Sequence, residues 1–435
     1  MGKFDGQHFA ILGAGRSGLG AARLACLHGA RATVFDEGDP AKIKTGGFPA
    51  VLGATAKSLV VQPGEFNLAI ISPGLDAGWP LPKKFTDAGV PLTGEMEFGF
   101  SLTDIPMIGI TGTNGKSTCT ELIAALFNGA GKRSIPCGNH GLALSELVAS
   151  GEAYDVLALE VSSFQLETIS TLRPKVSIWL NFAPDHLDRY PDIESYYKAK
   201  VRIFENQTAD DWAVIRAGED VGEIKAKRVT FSSESDADFT YRSGAFFHQQ
   251  KQIGDASCVK LRGRHNMENI LAALAAGWLL GLSFDAMMQT LASYDPPRHR
   301  CELVRVLNDR EYINDSKATN LHALESCVRS QDRPIVLIAG GKEKGLDYTP
   351  LRGTIPGRVH AMVVIGEIAE SLERGFSDLV PCKRAADMAD AVRLATELSK
   401  PGDAIVLSPG TSSFDMYTGY AQRGDVFCDA VRSLS

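Results

Sequence analysis

Apolar residues in this chain gather into short runs that end in glycine or a polar residue, and between the runs the apolar spacing turns helical. FAIL (9–12) ends in Gly13, a helical stretch follows from about Ser17 to His28, and ATVF (32–35) ends in Asp36. LAII (68–71) then leads into Ser72-Pro73-Gly74. Runs of this length read as strands, and strands alternating with helices predict a parallel sheet covered on its faces. The pattern restarts near Gly94 with MIGIT (107–111), a glycine-rich turn, a helix from about Lys116 to Ala130, and the strands VLALEV (156–161) and VSIWLN (176–181). Residues 232–257 are polar, with Gly and Gln, and predict short antiparallel strands or loops. Helical spacing returns from Asn266 to Leu282, and Pro296-Pro297 breaks it. A third series holds IVLIAGG (335–341), AMVVIG (361–366) and AIVLSPG (404–410), with an amphipathic helix from Ala386 to Leu398 between the last two. The reading is an α/β chain of three domains, at 1–95, 96–298 and 299–435.

Composition narrows the function classes. Of 435 residues, 44% are hydrophobic and 22% charged, an ordinary globular mix. A net charge of −7 argues against bulk nucleic-acid or anionic-membrane binding, while leaving room for a local phosphate pocket. The longest apolar stretch, Leu271 to Leu282, is shorter than the roughly 20 residues a membrane-spanning helix needs, so no membrane insertion is expected. The opening MGKFDGQH lacks a signal-peptide pattern, and none of the eight cysteines form a C-x-x-C pair. Both point to free thiols and a cytoplasmic location.

The chemistry sits in the turns after the strands. Gly112-Thr113-Asn114-Gly115-Lys116-Ser117-Thr118 follows a strand and opens a helix, where backbone N–H groups and the helix N-terminus attract phosphate. Lys116 can reach the outer phosphates and Ser117 can ligate Mg2+. The strict phosphate-loop pattern fails, because Ile110 stands where its first glycine belongs. Gly13-Ala-Gly15-Arg-Ser17-Gly18 also joins a strand to a helix, and Asp36 ends the next strand, where a ribose-binding acid belongs. That pair fits a nucleotide diphosphate, and it also fits NAD or close packing alone. Glu160 ends VLALE and is placed like a Mg2+-binding acid beside the phosphate loop. Asn181-Phe-Ala-Pro-Asp185-His186-Leu-Asp188 follows the next strand and offers further metal or substrate ligands. Residue physics alone puts Lys200, in Lys198-Ala-Lys200, on a solvated helix face. In the third unit, Asn314 to Asn320, Gly340 to Lys344 and Ser408 to Phe414 are three polar turns suited to one composite site.

GTNGKST, LEVSSFQLE, the DHLDRYP stretch, HNMEN, PRHRCE and NDSKATN together resemble the Mur ligase family, in its order and approximate spacing, over nearly the whole chain. The resemblance implies an N-terminal Rossmann-like domain for a UDP-linked substrate, a central P-loop-type ATP-binding domain and a C-terminal Rossmann-like amino-acid-binding domain. GAGRSG, SPGL (72–75), NDSKATN and SPGTSSFDMYTGYAQRGDVF narrow the implied activity. It is ATP-dependent addition of D-glutamate to UDP-N-acetylmuramoyl-L-alanine in peptidoglycan precursor synthesis, through an acyl phosphate and a tetrahedral intermediate, by a monomer.

By the same resemblance, Lys116 and Ser117 hold ATP phosphates and Mg2+, Glu160 is a metal ligand, and His186 ligates a second Mg2+ or touches substrate. Lys200 is carbamylated and becomes an anionic metal ligand. Asn266, Asn269, Arg300 and Asp315 contact nucleotide. His299, Lys317, Thr319, Lys344, Ser413, Phe414 and Tyr420 build the amino-acid and acyl pocket. Asn139 and Gln165 touch the muramoyl group, while Ser17, Asp36 and Gly74 hold the UDP end. The chain departs from the family pattern at Cys137-Gly138-Asn139-His140-Gly141, at Pro184, and in the Glu-Gly-Asp after Asp36. Competing readings are another amino-acid ligase of the same family, such as a folate polyglutamate ligase, an NAD-dependent oxidoreductase, and a non-catalytic nucleotide switch.

Overall fold

A computed structural model of the chain describes residues 2–185, 189–261, 263–295, 298–331, 333–345 and 347–434. His186, and the break expected at Pro296-Pro297, lie outside them. The chain divides into two compact units, Met1–Ser257 with Glu268–Ala292, and Cys258–Met267 with Ser293–Ser435.

The first unit carries two sheets. One has five parallel strands in the order Ala50–Leu52, Arg31–Asp36, His8–Leu12, Leu68–Ile71, Leu92–Gly94. The other has nine, in the order Lys251–Asp255, Ala245–His248, Phe239–Arg242, Lys227–Ser232, Trp212–Arg216, Val176–Trp179, Met107–Thr111, Val156–Glu160, Ser134–Gly138. Its pairings are parallel except the two that join the hairpin strands from Phe239 to Asp255. That hairpin array is the polar stretch expected to form short antiparallel strands. The central strands Met107–Thr111 and Val156–Glu160 are buried at every position. A strand covered by helices on both faces must be apolar throughout, hence the unbroken runs MIGIT and VLALE.

Close packing joins the two sheets. Helix Arg16–Leu27 lies against helix Leu144–Ser150, and a Cβ on Gly20 would stand 2.9 Å from Ser145 Oγ. Buried Glu95 accepts hydrogen bonds from Ser145 N at 2.7 Å and Ser145 Oγ at 2.5 Å. Buried Glu97 accepts from the backbone N–H groups of Ser170, Thr171 and Leu172 at 2.7–3.0 Å.

The second unit holds six strands in the order Glu302–Leu307, Arg310–Asn314, Ala404–Leu407, Ile335–Gly340, Val359–Ile365, Cys382–Arg384. Only the first pairing is antiparallel. Helices Leu321–Ser330 and Ala369–Phe376 seal one apolar layer, and Met388–Leu398 with Tyr420–Arg432 the other. All eight cysteines are free thiols. No helix among the described residues is long and apolar enough to cross a membrane.

Candidate active site

The turn 112–115 connects strand Met107–Thr111 to helix Lys116–Gly129. Gly115 has φ +85°, and a Cβ there would meet Asn269 Oδ1 at 2.3 Å, so both conformation and space require glycine. Asn181, just past strand Val176–Trp179, clasps the turn: its Oδ1 accepts from Asn114 N at 2.9 Å and its Nδ2 donates to Asn114 O at 3.1 Å. Thr113 Oγ1 donates to Ala183 O at 3.0 Å. The loop is therefore held from outside by Asn181 and Ala183, at a helix N-terminus, where the helix dipole favours phosphate. Lys116 Nζ donates to Gly112 O and Thr113 O, both at 2.9 Å, so its ammonium sits over the turn.

Two further groups converge there. Glu160 pairs in register with Ile110, which places it beside the root of the turn. Its Oε1 accepts from Asn139 Nδ2 at 2.7 Å, while its buried Oε2 has no hydrogen-bond partner among the described residues. Lys200, on helix Ile193–Val201, corrects the solvated-face expectation: it is 1% exposed and donates to Gly112 O at 2.8 Å. Burial, then repulsion from Lys116, pushes its amine well below the ordinary lysine range. The helix carries Lys200 inward because Tyr196, one turn earlier, is also buried, and Lys200 Nζ lies 4.8 Å from that ring's centre.

The five-stranded sheet forms its own mouth. Gly13, Asp36 and Ser72 follow adjacent strands, and a Cβ on Gly18 would collide with Gly13 O at 1.9 Å. Asp36 Oδ2 accepts from Ala14 N at 2.8 Å and its Oδ1 from Gly38 N at 2.9 Å. Each oxygen holds one of the turns and keeps a further lone pair for a ligand. Ser17 is half-buried in the first helical turn, and Gly74 is exposed. Gln165 is buried, with its Oε1 closing a capping box on Ser162. Arg189 was not singled out from sequence. It donates to Glu167 at 3.0 Å and to Leu75 O at 3.5 Å, with its guanidinium 4.2 Å from the Phe164 ring centre, tying SPGL to SSFQLE.

In the second unit, Asp315, Gly341 and Ser408 follow neighbouring strands, so the three polar turns do meet at one sheet edge. Lys342 N donates to Ser412 O at 2.9 Å and Thr411 Oγ1 to Lys342 O at 2.7 Å. Asp315 accepts from Cys301 N at 3.2 Å and Ser408 Oγ at 3.0 Å, and burial pushes its carboxyl well above the usual carboxylate range. Buried His299 (φ +68°) and half-buried Cys301 (φ +47°) hold a left-handed backbone rare for residues other than glycine, flanking half-buried Arg300. Burial lowers the His299 pKa. Lys317 Nζ lies 3.9 Å from the Tyr420 ring centre, Thr319 is half-buried, Ser413 is buried, and Lys344 and Phe414 are exposed. Asn266 is buried in this unit and Asn269 in the other.

Sequence reasoning missed Arg423. It is 1% exposed and donates from Nε to Ser316 Oγ at 3.0 Å, from Nη2 to Ser316 O at 2.9 Å, and from Nη1 and Nη2 to Thr411 O at 3.1 Å. It fastens the Asp315 turn to the Ser408 turn. Burial lowers its pKa to about 10, so it stays charged at neutral pH.

Residues 110–277 match the Mur ligase middle domain, and residues 299–410 match the glutamate ligase domain of Mur ligases. Over 439 residues the chain is 38% identical to UDP-N-acetylmuramoylalanine–D-glutamate ligase of Trichlorobacter lovleyi, spanning 98% of both. The chain belongs to the Mur ligase family. The enzyme of the same name from Salinibacter ruber is 37% identical over 452 residues, covering 98% of this chain and 97% of its own. Among solved structures, UDP-N-acetylmuramate-alanine ligase MurC of Thermotoga maritima aligns at a TM-score of 0.60 and 16% identity, covering 98% of this chain and 99% of its own. MurF of Acinetobacter baumannii aligns at 0.61 and 14%, covering 98% and 91%. These likenesses establish the shared fold. The Mur ligase residues present here fit ATP and Mg2+: a phosphate turn at a helix N-terminus, and beside it a buried Glu160 oxygen with no hydrogen-bond partner among the described residues.

Proposed function

We propose that this Mur ligase joins D-glutamate to UDP-N-acetylmuramoyl-L-alanine with ATP, in peptidoglycan precursor synthesis, as a cytoplasmic monomer. Full-length similarity to curated enzymes of that name supports the substrate pair. The observation that carries the chemistry is the convergence of Lys116, Lys200 and Glu160 on the 112–115 turn.

A carboxylate is a poor electrophile, so the alanyl carboxylate takes the γ-phosphoryl group first. The D-glutamate amine then attacks the carbonyl carbon of this acyl phosphate, and phosphate leaves the tetrahedral intermediate. Lys116 and the helix N-terminus orient the phosphates and offset the charge that builds on transfer. Two Mg2+ ions, held by Ser117, Glu160, His186 and a carbamylated Lys200, would screen the repulsion between the γ-phosphate and the carboxylate. A carbamate requires a neutral amine and CO2, and the burial of Lys200 supports the first requirement.

Asn266, Asn269, Arg300 and Asp315 are assigned to the nucleotide. Ser17, Asp36 and Gly74 in residues 1–95 are assigned to the UDP end, with Asn139 and Gln165 on the muramoyl group. His299, Lys317, Thr319, Lys344, Ser413, Phe414 and Tyr420 in residues 299–435 are assigned to the amino acid and acyl group. The test is phosphate release from ATP with UDP-N-acetylmuramoyl-L-alanine and a panel of amino acids. Release confined to D-glutamate is expected, and release with another amino acid in its place overturns the substrate assignment.

A further inference from the structure

The site proposed for Mg2+ offers oxygen ligands and one imidazole. The second unit contains a group of quite different chemistry. Cys301, Asp315 and Cys327 each offer one ligand atom, and the three atoms all lie within 4.8 Å of one another. Cys327 and Asp315 are buried and Cys301 is partly so. The two Sγ atoms are 3.7 Å apart. Two thiolates at about 2.3 Å from a tetrahedral zinc ion stand about 3.8 Å apart, so this spacing needs almost no movement to bind. His265 Nε2 lies 4.0 Å from Cys301 Sγ, and its buried Nδ1 has no partner among the described residues. Zinc-bound sulfur and nitrogen are separated by about 3.5 Å, so the imidazole stands within a small shift of ligand spacing from Cys301.

We propose that Cys301, Cys327 and Asp315 form a binding site for a borderline-soft divalent cation of the zinc class, with His265 or water as fourth ligand. Sulfur ligation selects against Mg2+, so this site and the phosphate turn sort different ions. Second contacts hold the ligands in place. Asp315 is oriented by Ser408 Oγ and Cys301 N, and Cys301 Sγ already donates to Cys327 Sγ. On binding, the protons held by the two thiols and by the Asp315 carboxyl pass to solvent, and no electron is transferred.

Asp315 is shared with the proposed nucleotide contacts, so ion and nucleotide compete for it; the test is run without nucleotide and does not use the ligase activity. The full chain, stripped with chelator and kept reduced without oxygen, is titrated with Co2+. One Co2+ per chain is expected to carry near-ultraviolet thiolate-to-cobalt absorption and the intense visible bands of tetrahedral cobalt, whatever Co2+ the proposed Mg2+ site also takes up. Zn2+ should displace it. Cys301→Ser and Cys327→Ser should each weaken binding by on the order of a hundredfold and remove about half of the thiolate absorption. Cys382→Ser, at a half-buried cysteine outside the group, should change neither. Asp315→Asn, which preserves shape, provides a second variant should either serine variant misfold. Absent thiolate absorption overturns the proposal, as does absorption that survives in both serine variants or disappears with Cys382→Ser.

Discussion

Replacing Arg423 with methionine tests whether one buried cation builds the composite edge of the C-terminal unit. Methionine keeps much of the volume and removes every donor. The loss strands two carbonyls, Ser316 O and Thr411 O, that now share the guanidinium. A buried acceptor left unpaired costs about 1–3 kcal/mol, so the two together cost roughly 2–6 kcal/mol. Against a typical domain stability of about 5–15 kcal/mol, the unit should stay folded while its two turns loosen. Hydrogen exchange on the full chain, read by mass spectrometry, is the assay. Amides at 316–319 and 411–413 should exchange at least about thirtyfold faster, while those of helix Lys116–Gly129 stay unchanged. The Michaelis constant for D-glutamate should rise more than that for ATP, because Ser413 belongs to the loosened turn. Unchanged exchange at both turns refutes the reasoning.

Lys116→Ala should lose on the order of a hundredfold or more in turnover while keeping its melting curve, and near-normal phosphate release from the folded variant contradicts its placement on the phosphates. Lys200→Ala should lose most turnover, with acetate partly restoring it by refilling the anionic position; parental rates without acetate refute that role. Folding favours loss of the Lys200 proton, because burial lowers its pKa from the ordinary value of 10.5. The stability of the parent relative to Lys200→Met should therefore rise as pH is raised toward 10.5, and fall as pH drops through the lowered folded value. Urea melts of both in CO2-free buffer at about pH 7 and pH 9.5 check this, and a pH-independent difference refutes it. Lys344→Ala should raise the Michaelis constant for D-glutamate more than that for ATP, measured by phosphate release; the reverse pattern means the pocket lies elsewhere.

Strands buried on both faces announce themselves, since VLALE and IVLIAG must be apolar at every position, and the turns after them carry the chemistry. The three-residue strands Ala50–Leu52, Leu92–Gly94 and Cys382–Arg384 left no such trace, being too short for any period to show. Strand Arg310–Asn314 was equally hidden, because REYIN mixes charged and apolar residues at the edge of the buried layer. Local spacing also misjudged Lys200. IESYYKAKV reads as a surface helix, and the acceptor that takes the buried lysine's hydrogen bond is Gly112 O, 88 residues away in the chain. Arg423 and the Cys301–Cys327 pair share that cause, as each acquires its meaning from turns distant in sequence. The phosphate turn stood out despite Ile110, because the strand–turn–helix context carries the physics that the missing glycine does not.

The central claim is that ATP activates a carboxylate on the UDP-linked substrate for attack by D-glutamate. Its most direct test is to label the alanyl carboxylate of UDP-N-acetylmuramoyl-L-alanine with oxygen-18 and follow the label by mass spectrometry during turnover with ATP and D-glutamate. One labelled oxygen should appear in each released phosphate and one should remain in the new amide. Unlabelled phosphate, with the amide formed, would contradict carboxylate activation by phosphoryl transfer.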